Sequence, residues 1–277
     1  MPFQVRVWSF GKAQVLEVAV DGRLRDPRSS RDLVDSHRRQ AWVFGNIGGG
    51  FGRYASGPAE VLAPVPASMS PVEAAGVPVA GLTALQGLRD HGEVETGSRV
   101  LVNGASGGVG TFAVQVAVAL GAGVTAVCST RNVEQARSLG ASEVIDYTTT
   151  DLIDHVVGRG ETFDVVFDVA GVHSTRQLVQ LLSPGGRCVF VGAPGGGRIL
   201  GPLRHLVPSM IAGRLRRENF VAFVAQANGD DMTTLAEMID AGQVRTVVDA
   251  VMPFDELPAA LTRFRQGHVA GKIIVER

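Results

Sequence analysis

Three glycines in one short turn could bring main-chain amides close to a phosphate group. Gly104, Gly107 and Gly110 lie in the segment GASGGVG, between the apolar run RVLVN and a long apolar stretch that begins at Thr111. In a strand-turn-helix unit that binds a dinucleotide, such glycines form the turn, let the backbone approach the diphosphate and let helix and strand pack closely. The spacing differs from the usual Gly-x-Gly-x-x-Gly, so a plain turn is the competing interpretation. The flanking strand and helix favour the phosphate loop.

The end of the next predicted strand offers chemistry for the other end of a dinucleotide. An acidic residue about 20 positions further along would hold a ribose 2′-hydroxyl. The sequence instead has Cys128-Ser129-Thr130-Arg131, and hydroxyls with a cation suit a 2′-phosphate, which a carboxylate would repel. These residues favour NADPH over NADH. The alternatives are that Arg131 is a solvated residue at a helix start and that Tyr147 is ordinary packing at a strand edge.

Several other chemistries lack the residues that they require. A short-chain reductase needs a Tyr-x-x-x-Lys pair, but lysine stands only at positions 12 and 272 and tyrosine only at 54 and 147. A structural zinc lobe needs a cluster of thiolates, whereas Cys128 and Cys188 lie apart in valine-rich runs that predict buried side chains. No metal site is predicted, and the catalytic residue is unknown. The histidines are scattered without ligand spacing, at positions 37, 91, 155, 173, 205 and 268.

Short apolar runs alternate with helical stretches from Arg99 onward, and these elements must position the glycine turn. Valine-rich strands without a polar face predict a parallel sheet that helices cover on both sides. The expected fold class is α/β, with a Rossmann-type doubly wound parallel sheet. The predicted helices span residues 108–120, 132–139, 151–157, 175–182, 230–241 and 257–265, and Pro184-Gly185-Gly186 is expected to end the fourth of them.

The sequence before Arg99 has a different texture. Short apolar pieces broken by glycine and proline, as in VFGNIGGGFGRYASGPAEVLAPVP, predict a small β-rich domain. Residues 21–39 mix arginine and aspartate with few large aliphatic side chains. This composition predicts a solvated or disordered segment, because little of it could be buried.

Composition and charge exclude several partners. The chain has 277 residues, of which 45% are hydrophobic, and a net charge of -1. It can bury one large core or two modest ones, but it has no basic excess for nucleic acid or an anionic membrane. The start MPFQVRVWSF lacks a basic region followed by an apolar one, and no apolar run reaches the length of about 18 residues that a membrane helix needs. A cytoplasmic globular protein is expected.

Residues 78–147 closely resemble the zinc-free quinone oxidoreductase branch of the medium-chain dehydrogenases/reductases. The motifs are GLTALQGLRDHGEVETGSRVLVNGASGGVG and CSTRNVEQARSLGASEVIDY, followed by FDVVFDVAG, LSPGGRCVFVG and GHVAGKIIVE. The resemblance extends backwards through VFGNIGGGFGRYASGPAEVLAPVPASMS, so that it covers about residues 41–276. It implies a Rossmann domain at residues 82–225 and a GroES-like substrate domain at residues 1–81 and 226–277. The family's SVNPVD-like motif beside the nicotinamide is missing, and residues 19–40 stand in its place. The GroES-like domain is therefore expected to be shortened and incomplete.

The resemblance also implies NADPH as the cofactor and assigns its contacts by position. The residues that would hold the diphosphate are Ala105, Ser106, Gly107, Gly108, Val109 and Gly110. Those at the adenosine phosphate would be Ser129, Arg131 and Tyr147. Those toward the nicotinamide would be Thr83, Val169, Gly171, Val191, Gly192 and Ala193.

The implied reaction is transfer of a hydride from NADPH to a quinone or another α,β-unsaturated carbonyl compound, without zinc. The negative charge that develops on such an acceptor delocalises onto oxygen, so positioning supplies most of the catalysis and no strong acid is required. Two alternatives stay open. The chain could be an NADPH-binding sensor or scaffold with little catalysis, because its smaller domain is shortened, or it could be an enoyl thioester reductase. The expected assembly is a homodimer joined along residues 219–225.

Overall fold

A computed structural model describes residues 4–8, 16–20, 41–43, 62–191, 219–267 and 269–276. The predictions for residues 21–39, for Gly192 and Ala193, and for the histidines at positions 37, 205 and 268 lie outside these ranges. Contacts divide the chain into two compact units. One unit holds the described residues up to Leu82 and those from Gln226 onward, and the other holds the described residues from Thr83 to Ala225.

Strands and helices alternate over most of the described chain. The strands are β1 (Gln4–Trp8), β2 (Leu16–Val20), β3 (Ala41–Val43), β4 (Leu62–Pro64), β5 (Arg99–Asn103), β6 (Gly123–Cys128), β7 (Glu143–Asp146), β8 (Phe163–Asp168), β9 (Leu182–Val191), β10 (Asn219–Phe223), β11 (Val248–Pro253) and β12 (Lys272–Glu276). The helices are α1 (Pro71–Ala75), α2 (Pro78–Gln86), α3 (Gly110–Ala119), α4 (Val133–Ser138), α5 (Leu152–Gly158), α6 (Thr175–Val179), α7 (Gly229–Asp240) and α8 (Leu257–Arg265). A π-helix, Gly87–His91, follows α2.

Side chains that cap the first turn explain where several helices begin. Ser70 and Ser174 each form a capping box at the start of α1 and α6, and Asp151 and Asn228 accept amide hydrogen bonds at the start of α5 and α7. Such oxygens satisfy amides that have no partner within the helix. By contrast, α3 begins after Val109 without a side-chain cap.

The described strands of the unit from Thr83 to Ala225 form one parallel sheet in the order β10-β9-β8-β5-β6-β7. When its strands are numbered from β5, this is the order 3-2-1-4-5-6 of a doubly wound Rossmann sheet. The predicted α/β fold class is therefore confirmed. The strand order reverses between β5 and β8, which is where ligands of such sheets bind.

The central strand β5 of this sheet and the helix α3 are mostly apolar and buried. In β5, the side chains from Val100 to Asn103 are all buried, as expected when both faces of a parallel sheet are covered. Residues 110–117 of α3 are also all buried, because this helix is apolar on every side. A buried cluster joins the sheet to α5 and α6, and it includes Leu101, Val127, Ile145, Leu152, Val156, Phe163, Val166, Leu178 and Cys188.

The register of the strands decides which residues meet at the carboxyl edge of the sheet. Asn103 at the end of β5 pairs with Asp168 at the end of β8. On the other side, Asn103 pairs with Val127 of β6, and the next residue, Cys128, pairs with Asp146 at the end of β7. Since the turns after β5, β6, β7 and β8 leave from this edge, the register places their first residues side by side.

Both cysteines are free and buried, as their valine-rich surroundings predict. Burial, with a further contribution from the Asp146 carboxylate, raises the pKa of Cys128 to about 11. Burial also raises the pKa of Cys188 well above its ordinary value. Both thiols therefore stay protonated and poorly nucleophilic at neutral pH.

The other unit is built around a mixed sheet in the order β1-β2-β12-β11. Its β1 and β2 are antiparallel, while β12 runs parallel to both β2 and β11. The helix α8 connects the two parallel strands β11 and β12, and Ala260 of that helix is buried with Ile273 and Val275 of β12. Among the described residues, no helix has the length and apolar character that crossing a membrane requires.

Three predicted elements differ from the structure. The helix predicted at residues 175–182 ends at Val179, and β9 already begins at Leu182. Pro184-Gly185-Gly186 therefore lies inside β9, where the pairing with β8 shifts between Phe163 and Val165. The region before Arg99, predicted to be β-rich, also contains α1, α2 and the π-helix, and the Ser70 capping box with Pro71 in the first turn starts that helical stretch.

Candidate functional site

The turn after β5 depends on the backbone freedom of Gly104. This glycine has a φ of +88°, which other residues adopt only with strain. The amides of Gly104 and Ala105 both donate to the Val127 carbonyl oxygen, at 3.2 and 3.0 Å, and the Gly107 amide donates back to the Gly104 oxygen at 3.2 Å. The turn is thus fixed by hydrogen bonds from its own backbone.

The other two glycines of the predicted motif meet different surroundings. A Cβ atom at Gly110 would lie 2.1 Å from the Gly104 oxygen, so a side chain here would separate α3 from the turn. Among the described residues, a Cβ atom at Gly107 would meet only the Gly104 oxygen, at 3.5 Å, which is ordinary contact. The packing of the protein therefore requires glycine at position 110 but leaves room for a side chain at position 107.

These features fit the diphosphate of a nicotinamide dinucleotide. The first amides of an α-helix have no partner within it, and the helix dipole favours an anion there. In α3 no side chain caps this end, and the predicted residues Ala105, Ser106, Gly108, Val109 and Gly110 carry no charged group. The residues present can hold the group that the motif predicts.

The residues predicted for the adenosine end lie beyond β6 and β7. The Tyr147 amide donates to the Cys128 oxygen at 3.1 Å, so Tyr147 and Ser129 follow neighbouring strand ends. Ser129 is half-buried and accepts a hydrogen bond from Asn132. Arg131 and Tyr147 are exposed, and the relative exposure of Tyr147 is 58%.

Sequence reasoning missed a carboxylate at this end, that of Asp146. It accepts hydrogen bonds from the Thr130 hydroxyl at 2.5 Å, the Thr148 hydroxyl at 2.7 Å and the Thr148 amide at 2.9 Å. The hydrogen bonds from Thr130 and then from Thr148 lower the pKa of Asp146, so it stays ionised. An acidic residue was sought at the end of β6 only, and its position at the end of β7 follows from the parallel register with Cys128.

The residues predicted for the nicotinamide end are partly brought together. Val169 and Gly171 lie in the segment that follows β8, where the Val169 amide donates to the Asn103 oxygen at 2.9 Å. Val191 is the last residue of β9, and its side chain is largely buried. Thr83 lies in α2 and is buried as well.

Two buried polar residues at the strand-order reversal were also missed. The Asn103 side chain donates to Asp168 Oδ1 at 2.8 Å, and the relative exposures of these residues are 3% and 1%. Burial raises the pKa of the Asp168 carboxyl, while hydrogen bonds from Gly171 and Asn103 oppose that rise. Their positions at the ends of two adjacent apolar strands were the available signal, because polar residues there point to the binding edge of the sheet.

The histidines have separate surroundings where the structure describes them. The His91 ring packs against Phe223 with centroids 4.5 Å apart, His155 Nε2 lies 3.9 Å from Glu143, and His173 Nδ1 lies 3.3 Å from Asn103 Nδ2. Across the described ranges, no group of three or more histidine, cysteine or acidic side chains could hold a metal ion.

Three curated proteins are similar to much of this chain. The trans-enoyl reductase pgmF of Aspergillus terreus is 35% identical over 266 residues, which cover 90% of this chain and 73% of that protein. The chloroplast envelope quinone oxidoreductase homolog of Arabidopsis thaliana is 32% identical, with 83% of this chain and 69% of that protein covered. The mitochondrial NAD(P)H oxidoreductase RTN4IP1 of Mus musculus is 33% identical, with coverages of 76% and 57%.

A solved structure and a family model support the same grouping. The quinone oxidoreductase from Coxiella burnetii superposes with a TM-score of 0.65 at 26% identity, over 77% of this chain and 63% of that one. The chain thus spans less than two thirds of that solved protein. A family model described as zinc-binding dehydrogenase matches residues 139–275. Together with the Rossmann sheet and its glycine turn, these similarities show that the chain belongs to the quinone oxidoreductase branch of the medium-chain dehydrogenases/reductases.

Proposed function

We propose that the chain is an NADPH-dependent oxidoreductase that transfers a hydride to a quinone or another α,β-unsaturated carbonyl compound and uses no zinc. Its relatives are named as oxidoreductases, and one of them as an NAD(P)H oxidoreductase. The preference for NADPH is supported by the hydroxyl and guanidinium groups of Ser129, Thr130 and Arg131 after β6. Pairing of two chains along β10 belongs to the same proposal, because β10 lies at one edge of the described sheet order.

The observation that carries the proposal is the empty space at Gly107. The described part of the fold leaves room for a methyl group there, since a Cβ atom would meet a single backbone oxygen of it at contact distance. The glycine adds flexibility to the unfolded chain and brings no packing advantage. Close approach of a diphosphate to the Gly107 backbone explains why a side chain would be harmful.

The side chains of this chain then act mainly by positioning. The turn from Ala105 to Gly110 and the start of α3 would bind the diphosphate, and Ser129, Arg131 and Tyr147 would bind the adenosine phosphate. Val169, Gly171 and Val191, with Thr83, would orient the nicotinamide. NADPH, when bound, supplies the hydride.

A conjugated carbonyl is the proposed acceptor because it needs no strong acid from the protein. A conjugated carbonyl spreads the developing charge onto its oxygen, which water or a weak donor can protonate. Alignment of donor and acceptor is then the main source of catalysis. Zinc would not be required for such an acceptor.

A second candidate function is reduction of an enoyl thioester. It is favoured by the trans-enoyl reductase of Aspergillus terreus, which covers 90% of this chain, and by the CurK enoyl reductase, whose structure superposes with a TM-score of 0.66. The conjugated acceptor is chemically similar, so the same cofactor site would serve. An NADPH-binding protein without turnover remains the third hypothesis.

Exchange of Gly107 for alanine tests the cofactor site. We expect Gly107→Ala to keep the stability of the wild type, because its Cβ has room, and to weaken NADPH binding by about tenfold or more, since the methyl group would stand against the diphosphate. The measurements are calorimetric titration with NADPH and thermal unfolding. The control is Gly158→Ala, at the end of α5, where a Cβ would meet nothing within 4 Å. Equal NADPH affinity in both variants and the wild type would contradict the assignment.

Turnover on three acceptor classes separates the candidate functions. We expect NADPH oxidation with quinones or enones. A rate confined to enoyl thioesters would favour the second candidate, and tight NADPH binding with no turnover on any of the three would favour the sensor or scaffold hypothesis.

A further inference from the structure

The two central strands of the Rossmann sheet end in a buried polar pair. Asn103 and Asp168 are paired in register on β5 and β8, across the point where the strand order reverses. The Asn103 side-chain amide donates to Asp168 Oδ1 at 2.8 Å, and both side chains are almost fully buried. The side chains therefore connect the two strands just before their turns begin.

The same two residues hold the segment that follows β8. The Asn103 backbone oxygen accepts the amides of Val169 and Ala170, at 2.9 and 3.2 Å. Asp168 Oδ1 accepts the Gly171 amide at 3.1 Å. Three consecutive amides of this segment are thus fixed by one carbonyl and one carboxyl oxygen.

This segment also contacts the glycine turn after β5. A Cβ atom at Gly104 would lie 3.2 Å from the Ala170 amide nitrogen and 3.4 Å from the Ala170 Cβ. The turn predicted to hold the diphosphate and the segment predicted to lie toward the nicotinamide are therefore neighbours. The Asn103–Asp168 pair lies at the base of both.

The pair is not the arrangement that stability alone favours. Asp168 Oδ2 is buried without a hydrogen-bond partner among the described residues, and a buried polar atom without a partner is unfavourable. The side-chain nitrogen Nδ2 of Asn103 also lies 3.3 Å from His173 Nδ1. One of its two hydrogens can therefore be donated to Asp168 and the other to His173 when Nδ1 carries no proton. A buried carboxyl kept at a ligand-binding edge points to a role in function.

We propose that Asn103 and Asp168 are positioning residues that set the segment 169–171 against the diphosphate turn and thereby orient the nicotinamide half of the cofactor. The inference rests on the proposed function, since it requires a nicotinamide dinucleotide in this site. Neither side chain touches the cofactor in this role. The Asp168 side chain acts through the Gly171 amide, and the Asn103 side chain acts by holding the Asp168 carboxyl in place. The Asn103 backbone oxygen accepts the other two amides, those of Val169 and Ala170.

A binding experiment with two ligands tests this role. The probes are NADPH and ADP-ribose 2′-phosphate, which has the diphosphate and the phosphorylated adenosine but no nicotinamide. We expect Asp168→Ala to weaken NADPH by about tenfold, from the loss of two hydrogen bonds, and to leave the affinity for the fragment unchanged. Asn103→Ala should act in the same direction. Asp168→Asn should restore most of the NADPH affinity, because its amide oxygen can accept the same two bonds.

The matched control is Asp164→Asn on the same strand. Asp164 lies near the other end of β8, where it accepts hydrogen bonds from the Arg99 amide and the Ser183 hydroxyl, each at 2.9 Å. We expect this variant to bind both probes like the wild type. Thermal unfolding of every variant shows which of them are folded. If Asp168→Ala does not fold, the NADPH and fragment affinities of Asn103→Ala and Asp168→Asn decide whether the positioning role holds.

The outcomes distinguish this inference from the proposed function. If the wild type binds neither probe, the cofactor assignment fails and the positioning role fails with it. If the wild type binds both probes, and the folded variants lose both affinities equally or lose neither, the positioning role is overturned while the proposed function stands. A loss limited to NADPH, with rescue by Asp168→Asn, is the result that supports it.

Discussion

At the scale of single residues, the Asp146 carboxylate adds a negative charge to the site predicted for the adenosine phosphate. The sequence had suggested only a positive charge there, that of Arg131. Arg131 follows β6, where a cation would attract a 2′-phosphate. Asp146 ends the adjacent strand and binds the Thr130 hydroxyl. Groups of opposite charge therefore flank the same strand ends, and we infer that Asp146 reduces the preference for NADPH that is proposed for Arg131.

Two substitutions test this balance. We expect Asp146→Asn to raise the NADPH-to-NADH affinity ratio by about two- to fivefold, since a half-buried carboxylate at the surface is still screened by solvent. Arg131→Asp should lower that ratio, because NADPH would lose a cation and meet an added anion. The affinities are measured by titration with each nucleotide. Glu143→Gln, at the start of the same strand β7, is the control and should leave the ratio unchanged, and equal changes for both nucleotides would speak against the inference.

Local structure in the candidate site could be predicted where its residues are close together in the sequence. The glycine turn was identified because Gly104, Gly107 and Gly110 lie between one strand and one helix. Asp146 and Asp168 were missed because their importance comes from strand register, which joins residues far apart in the chain. The register of two strands cannot be read from one sequence before it is known which strands pair.

At the scale of elements, Gly87 at the start of the π-helix after α2 has no room for a side chain. A Cβ atom at Gly87 would lie 2.5 Å from a Phe167 ring carbon and 2.8 Å from a Phe223 ring carbon. The backbone of the π-helix thus lies directly against two aromatic rings, one from β8 and one from β10.

Exchange of Gly87 for alanine should therefore destabilise the fold. We expect the free energy of unfolding to fall by about 1–3 kcal/mol, because the rings would have to move out of their packing. Urea denaturation measures this change. Gly158→Ala, which has open space around its Cβ, should not lower stability, and an equal value for both variants would show that the rings adjust freely.

Element boundaries were predictable where an apolar run coincides with a local start signal, such as Pro258 in the first turn of α8. The helix predicted at residues 257–265 matches α8. The helix predicted at residues 175–182 was too long, because Leu181 and Leu182 continue its apolar pattern although Leu182 pairs with Phe163. The pairing with a distant strand overrides local periodicity there.

At the scale of the whole molecule, Asp168 makes stability depend on pH. Burial raises its pKa in the folded state, so the unfolded chain releases this proton at lower pH than the folded chain does. The stabilisation is fully present below the unfolded pKa of about 3.9 and is lost as the pH rises through the folded pKa. Asp90 and Asp146 act oppositely, because their lowered pKa values make stability fall at acid pH.

A comparison of two proteins isolates the contribution of Asp168. The free energy of unfolding of the wild type should decline relative to that of Asp168→Asn as the pH rises from about 4, by up to about 1.4 kcal/mol per pH unit in the titrating range. Urea denaturation at a series of pH values provides the difference, in which the other carboxyl groups cancel. Parallel curves would show that Asp168 titrates alike in both states.

The burial of Cys128 and Cys188 has a practical consequence for such measurements. Thiol-reactive dyes should leave both side chains unlabelled in the folded protein, because neither is accessible or ionised. A cysteine introduced at Val172, whose relative exposure is 74%, would then be the one site of attachment next to the segment 169–171. A fluorophore there would report rearrangement of that segment in solution without removal of any native residue except the valine.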